Sequence, residues 1–99
     1  IHTMNSLNIN GKEYPFRFSF IAIRKFSKLT GIALEDLGSM SSTHILEILY
    51  SGLYGGSRKA KIEWDLHIDD LELWLDDNFD KIESIMEMVS SDLSDDEGK

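Results

Sequence analysis

The chain lacks cysteine, has one proline among its 99 residues and contains no long apolar run. Without cysteine it can form neither a disulfide framework nor a thiolate metal site, which agrees with a reducing compartment such as the cytoplasm. No segment approaches the ~20 apolar residues that a membrane-spanning helix needs, so we expect no membrane partner. So little proline, with only seven glycines, argues against disorder over most of the length.

What is present suffices for one small domain. The hydrophobic fraction is 41%, which can fill a modest core in a chain of this size. We expect a single domain over residues 7–93. Residues 1–6 are expected to be disordered or derived from an expression vector, and residues 94–99 to form a disordered acidic tail.

The formal net charge is −8 and is unevenly distributed. Residues 1–61 hold eight basic and four acidic groups, whereas residues 62–99 hold two lysines and fourteen acidic groups. An acidic surface repels phosphate backbones, so we expect no nucleic-acid partner. The acidic half is either a solvated face, a docking surface for a basic partner, or a contact between copies of the chain.

A hairpin is predicted near the start of the chain. Asn10-Gly11 lies between two short alternating runs, and both residues tolerate the positive φ of a type I′ turn. On the second arm one face is aromatic and the other charged: Tyr14, Phe16 and Phe18 against Glu13 and Arg17. Pro15 lacks an N–H, so this arm should be an edge or carry a bulge.

Two helices should follow the hairpin. The first is expected over residues 19–30, capped by the Ser19 hydroxyl and stopped by Gly31. Its expected buried stripe is Phe20, Ala22, Ile23, Phe26 and Leu29. The second should be capped by Ser42 or Thr43 and end near residue 54, followed by a flexible joint over residues 55–61. Its expected inner face is Ile45, Leu46, Leu49 and Leu53, widened by Ile48 and Tyr50.

Two more helices complete the prediction. Asp69 is the expected cap of the third helix, with Glu72 in a capping box and Ile68 stapled to Leu73; Leu71, Trp74 and Leu75 should be buried. After a break at residues 76–78, the last helix carries a heptad-like seam. The seam consists of Phe79, Ile82, Met86, Val89 and Leu93, broadened by Ile85 and Met88. The predicted fold class is α+β, mainly α: an N-terminal β-hairpin followed by a bundle of about four helices.

Motifs for chemistry are weak. Asp76, Asn78, Asp80 and Glu87 match positions of an EF-hand calcium loop, but Lys81 occupies the position that needs glycine, and a helical period runs through the segment. The three histidines have no ligand spacing, and no nucleophile or phosphate-binding motif is present. We therefore expect no metal, no cofactor and no enzymatic activity.

Several short motifs in a particular order carry a resemblance to a known family. They are Asn10-Gly11-Lys12 with Tyr14, Lys28-Leu29-Thr30-Gly31, Tyr50-Ser51-Gly52-Leu53, and Trp74-Leu75-Asp76 before an Ile/Met-rich last helix. Together they span about residues 7–93. In this order they resemble the small tail assembly chaperones of long-tailed bacteriophages, including those of prophages in Gram-positive hosts.

The resemblance implies a non-enzymatic helical protein that binds the tape-measure protein, keeps its apolar helices soluble and helps to recruit tail-tube subunits. It also implies possible homo-oligomers, a place in the cytoplasm of the bacterial host and absence from the mature virion. The expected partner-binding residues are Ile48, Tyr50, Ile82, Ile85, Met86 and Val89. The alternative is a small acidic adaptor or regulatory protein that binds a basic protein.

Overall fold

The computed structural model describes residues 5–97, with the backbone alone for Ser39 and residues 95–97. A two-stranded hairpin, β1 (Asn5–Ile9) and β2 (Lys12–Phe16), is followed by four α-helices. These are α1 (Phe20–Thr30), α2 (Ile45–Ala60), α3 (Ile68–Asp77) and α4 (Ile82–Glu97), with 3-10 turns at Leu34–Ser39, Ser42–His44 and Phe79–Lys81. The predicted α+β, mainly α, fold class is confirmed.

The hairpin has the predicted two-residue turn. The strands are antiparallel with Ile9 opposite Lys12, which leaves Asn10 and Gly11 as the loop. Their φ angles are 55° and 91°, as a type I′ turn requires. The Asn8 side-chain oxygen accepts a hydrogen bond from the Gly11 N–H at 2.9 Å, which satisfies one backbone donor of the turn.

One face of the hairpin is buried as predicted, but Arg17 departs from the expected alternation. Tyr14, Phe16 and Phe18 all lie in the core, whereas the Arg17 side chain, expected on the opposite, charged face, is only 13% exposed. The reason is that β2 ends at Phe16, so the period of two no longer fixes where Arg17 points. Its guanidinium Nη1 lies 3.5 Å from a carboxylate oxygen of Asp92.

Asp92 fastens α4 to the segment after β2. Its other carboxylate oxygen accepts a hydrogen bond of 2.8 Å from the Phe18 backbone N–H. Asp92 is 4% exposed, so this acidic residue does not belong to a solvated acidic face. A buried carboxylate is tolerated because a cation and a backbone donor both satisfy it.

The buried face of α1 is narrower than predicted. Ala22 and Phe26 are fully buried, but Phe20 is 64% and Leu29 is 41% exposed. Residues two apart on a helix differ by about 200°, so Phe20 cannot share the face of Ala22. Ser19 is the N-cap residue without a side-chain capping bond, so its predicted hydroxyl cap is wrong. Gly31 ends the helix at φ 80°, as predicted.

The predicted flexible joint after residue 54 is wrong, because α2 continues to Ala60. Gly55 and Gly56, which suggested a loop, are buried inside the helix. Gly52, Gly55 and Gly56 form what we call the glycine face of α2, and it packs directly on the end of the hairpin. A β-carbon at Gly56 would overlap the Pro15 carbonyl group, as would one at Gly52 with the Phe16 ring.

The close approach at the glycine face permits a backbone contact between the helix and the chain after β2. The Arg17 N–H donates to the Gly52 carbonyl oxygen at 3.0 Å. A β-carbon at Gly55 would lie 2.7 Å from the Arg17 carbonyl oxygen, closer than side chains normally allow. Glycine here therefore permits close packing rather than flexibility. At the other end of α2, Ser41 rather than Ser42 or Thr43 caps the preceding 3-10 turn.

The last two helices meet at the predicted break. Leu71, Trp74 and Leu75 of α3 are buried as predicted, but the N-cap residue is His67 rather than Asp69. Leu73 is 68% exposed, so its side chain is not buried as the expected hydrophobic staple between Ile68 and Leu73 would require. Helix α3 ends at Asp77, and α4 follows one 3-10 turn later.

Regular secondary structure extends beyond the domain bounds expected at residues 7 and 93. Strand β1 begins at Asn5, and α4 ends at Glu97, so residues 94–97, expected in a disordered tail, continue the helix. Residues 1–4 and 98–99, from the segments expected to be disordered at the two ends, lie outside the described part of the chain. No helix within residues 5–97 has the length and apolar character needed to cross a membrane.

Helix α2 is the centre of the core. Its Ile48, Leu49 and Leu53 are 0% exposed and belong to one cluster with the hairpin aromatics and the inner faces of the other helices. The other fully or nearly fully buried helical members are Ala22, Phe26, Leu71, Ile85 and Val89. A helix with a single acidic residue in its sequence, Glu47, is suited to this central position.

Candidate functional site

An open groove lies between the entry into α2 and the entry into α4. One wall is formed by Ser42, Thr43 and Ile45, and the other by the 3-10 turn before α4 and the first turns of that helix. The second wall consists of Phe79, Asp80, Ile82, Glu83 and Met86. We call this surface the α2–α4 groove.

The apolar floor of the groove follows from the spacing along α4. Ile82 and Met86 are four residues apart on α4, and Phe79 lies three residues before Ile82 in the preceding 3-10 turn, so all three side chains line the same side of the groove. Phe79 is 75% exposed, while Ile82 and Met86 are half-buried. The same seam then passes into the core at Val89. The seam of α4 is thus split into an outer part that faces the groove and an inner part that packs in the core.

The rim of the groove is acidic. Among the eight described residues that line it, Asp80 and Glu83 carry negative charge and none carries positive charge. Both acidic residues are exposed. An apolar floor between carboxylates favours an occupant with an apolar stripe flanked by basic or polar side chains.

The structure separates the six residues expected to bind a partner into three groups. Ile48, Ile85 and Val89 are at most 2% exposed, so in this conformation their side chains pack within the domain. Ile82 and Met86 lie in the α2–α4 groove. Tyr50 is half-buried elsewhere on α2, with its ring centroid 5.3 Å from that of Trp64.

Phe79 and Ile45 belong to the groove although sequence reasoning assigned both to buried faces. The heptad spacing correctly places Phe79 on the seam but does not show where the core ends along that seam. The Asp76-Asp77-Asn78 break was the usable signal, since the first residue after a break lies at the end of a helix, where packing is incomplete.

A second ionic cluster ties the hairpin to the segment between α2 and α3. Asp65 accepts hydrogen bonds from Lys12 Nζ at 3.0 Å and from the Tyr14 hydroxyl at 2.9 Å. The Lys12 bond, then the Tyr14 bond, lowers the pKa of Asp65. The pKa of Lys12 is raised, chiefly by the bond to Asp65, and that of Tyr14 is raised by burial first and then by Asp65.

The side chains that the structure describes form no metal site. Among residues 5–94, Ser39 aside, no three His, Asp or Glu side chains converge where an ion could be held. The segment that matched an EF-hand pattern instead forms the end of α3, a 3-10 turn and the first turns of α4. The exposed apolar floor and acidic rim of the α2–α4 groove are features suited to binding.

Comparison of the chain with protein-family models, curated proteins and solved structures finds no match. Function is therefore inferred from the groove and from the motifs in the sequence.

Proposed function

We propose that this protein is a phage tail assembly chaperone that binds amphipathic helices of the tape-measure protein in the α2–α4 groove. The proposal includes assistance to tail-tube assembly, residence in the host cytoplasm, absence from the mature virion and no enzymatic activity. The observation that carries it is the exposed aromatic floor of the groove, because a 75% exposed phenylalanine next to further apolar side chains is typical of a binding surface.

The dimensions of the groove suit a helix. Phe79 lies in the 3-10 turn before α4 and Met86 lies one α-helical turn after the start of α4, so the floor extends over two turns, roughly 12 Å along the axis. An amphipathic helix presents anchors at the same i, i+3, i+4 and i+7 spacing, so two or three of its apolar side chains fit along the floor. Methionine at one end suits a partner with variable anchors, since its side chain adapts to different shapes.

The charge of the protein supports a role in keeping a partner soluble. Tape-measure helices with exposed apolar stripes aggregate unless the stripes are covered. A chain of net charge −8 that covers such a stripe adds repulsion between complexes. The resemblance of the motifs to tail assembly chaperones points to the same function.

The test is co-expression with the tape-measure protein of the same phage, with the soluble fraction of that protein as the readout. We expect the wild-type chain to raise the soluble fraction. The double variant Phe79→Ser/Met86→Gln should bring it back to the level seen without the chaperone, because both substitutions remove apolar contacts from the floor.

The matched control is Leu34→Ser/Leu73→Ser. Both leucines are exposed, at 49% and 68%, and neither lines the α2–α4 groove, so this variant should behave like the wild type. A tape-measure protein that is equally insoluble with and without the wild-type chain rejects the proposal. Equal losses in the two double variants reject the groove as the binding site.

The acidic adaptor remains the second candidate, favoured by the fourteen acidic groups of residues 62–99. Salt separates the two functions. A complex made through the apolar floor should persist at about 1 M salt, where the Debye length is about 3 Å, whereas a complex made through surface charges should dissociate.

A further inference from the structure

A basic recess lies between α1 and the second half of α2, away from the α2–α4 groove. Phe20, Ile21, Arg24, Lys25 and Lys28 of α1 line one side, and Tyr54 and Arg58 of α2 line the other. Tyr54 follows Ile45 by nine residues, so the recess and the groove are separated by about 14 Å along α2. We call this surface the α1–α2 recess.

The recess holds four cations, two of which lie against the ring of Tyr54. Lys25 Nζ lies 4.7 Å from the centroid of the Tyr54 ring, and the Arg58 guanidinium carbon lies 5.9 Å from it. Arg58 also donates a hydrogen bond to the Tyr54 hydroxyl at 3.2 Å. Arg24 and Lys28 complete the set and are exposed.

No carboxylate whose side chain the structure describes neutralises these cations. Lys12 and Arg17 both form ion pairs with aspartates, but among the acidic side chains of residues 5–94 none pairs with Arg24, Lys25, Lys28 or Arg58. In a chain of net charge −8, four unpaired cations around one recess mark a local reversal of the surface charge. The effect on Tyr54 agrees, since the bond from Arg58 and then the charges of Arg58, Lys25 and Lys28 lower its pKa.

We propose that the α1–α2 recess is a second binding site, which takes an acidic segment of a partner polypeptide that carries an apolar side chain next to its carboxylates. The cations supply charge-assisted hydrogen bonds to the carboxylates. Phe20, which is 64% exposed at the edge of the recess, supplies the apolar contact.

The composition of the recess favours an acidic polypeptide over a nucleic acid. A nucleic acid would bring phosphates along its whole length against a chain whose remaining surface is strongly acidic. A short acidic segment places its charges within the recess alone. The site does not depend on the proposed chaperone function, because it shares no lining residue with the α2–α4 groove.

The test uses fluorescence anisotropy with a fluorescein-labelled synthetic peptide that has glutamates on both sides of a central Leu-Phe pair. At about 0.15 M ionic strength, we expect saturable binding to the wild-type chain. The double charge reversal Arg24→Glu/Lys28→Glu should weaken binding by roughly tenfold or more, since it removes charge-assisted hydrogen bonds and adds repulsion. Phe20→Ser should weaken binding less, and without a change in its salt dependence.

The matched control is Lys59→Glu/Lys61→Glu, which changes the net charge equally at two exposed residues outside the recess. It should bind the peptide within about twofold of the wild type. Arg24, Lys28 and Lys59 lie within helices, and all four substituted residues, including Lys61, are exposed. Circular dichroism melts should therefore show that both double variants fold.

Four outcomes of the binding measurements overturn the proposal. They are equal weakening by the two double variants, equally tight binding of the glutamine version of the peptide, tighter binding of a fluorescein-labelled single-stranded oligonucleotide, and no saturable binding by the wild-type chain. An effect of Arg24→Glu/Lys28→Glu on self-association in sedimentation velocity, without an effect on the peptide, also overturns it.

Discussion

At the residue scale, the contact between Asp92 and the chain after β2 has the largest expected effect on stability. Asp92 satisfies both the Phe18 N–H and the Arg17 guanidinium. We expect Asp92→Ala to lower the free energy of unfolding by about 3 kcal/mol, because it leaves a cation poorly solvated and without this partner. Chemical denaturation measures the change, and Glu87→Ala, an exposed acidic residue on the same helix, should change it by less than about 0.5 kcal/mol.

Gly56 has a comparable role for a steric reason. In the middle of a helix, Gly→Ala normally stabilises by about 1 kcal/mol. Here the added methyl group would meet the Pro15 carbonyl group, which is backbone and cannot rotate away. We expect Gly56→Ala to destabilise the protein by about 2 kcal/mol. Gly38→Ala is the control, because a β-carbon at Gly38 meets nothing within 4 Å. A Gly56→Ala variant that is more stable than the wild type would refute the close packing of α2 on the hairpin.

The Asp65 cluster predicts a pH dependence. Hydrogen bonds from Lys12 and then Tyr14 lower the pKa of Asp65 below its usual 3.8. The contribution of Asp65 to stability is therefore complete above that value and is lost as the pH falls through the folded-state pKa. We expect the difference in melting temperature between the wild type and Asp65→Asn to be constant from about pH 7 down to about pH 4 and to shrink in stronger acid. A difference that grows in acid contradicts this assignment.

At the scale of the element, α2 is the helix whose length distinguishes the structure from the sequence-based expectation. If Gly55 and Gly56 formed a flexible joint, their amide hydrogens would exchange within the dead time of the experiment. Because both lie in a buried stretch of helix, we expect their exchange to be nearly as slow as that of Leu49 and Leu53. Hydrogen exchange followed by NMR measures these rates. Fast exchange at both glycines together with slow exchange at Leu53 would show that residues 55–61 form a flexible joint after all.

Local patterns predicted most of the elements but not their mutual contacts. The Asn10-Gly11 turn and the Gly31 stop require particular φ angles, and such requirements are visible in a single sequence. The glycine face of α2 depends on a strand more than thirty residues earlier in the chain, so local propensity gave the opposite answer. The α2–α4 groove was half predicted: the seam of α4 was visible, but the residue at which it leaves the core was not.

The basic recess shows the same dependence on helix length. Tyr54 and Arg58 are four residues apart and become neighbours only if the helix continues through Gly55 and Gly56. Once α2 ended early in the prediction, Arg58 belonged to a loop and its partners could not be named. Arg24, Lys25 and Lys28 alternate with the expected buried residues of α1, which indicates an outer position, but the sequence does not show the second wall that makes a site.

At the scale of the whole molecule, α4 closes the fold. Its Val89 and Asp92 are buried, and small domains have little stability to spare. We expect a chain that ends after residue 87 to lose cooperative thermal unfolding, whereas one that ends after residue 94 should retain it. Calorimetry or circular dichroism of the two truncated chains decides the point, and a cooperative transition in the shorter chain contradicts the role given to α4.

The glycine face of α2 also limits which substitutions the sequence can accept during evolution. A lineage that keeps the hairpin seated on the helix must keep the spacing Gly-x-x-Gly-Gly of residues 52–56, whereas the rims of the groove and the recess can change with whatever they bind. Distant relatives should therefore be found by a profile weighted on those three positions and the Asn-Gly turn, even after the rest of the surface has changed.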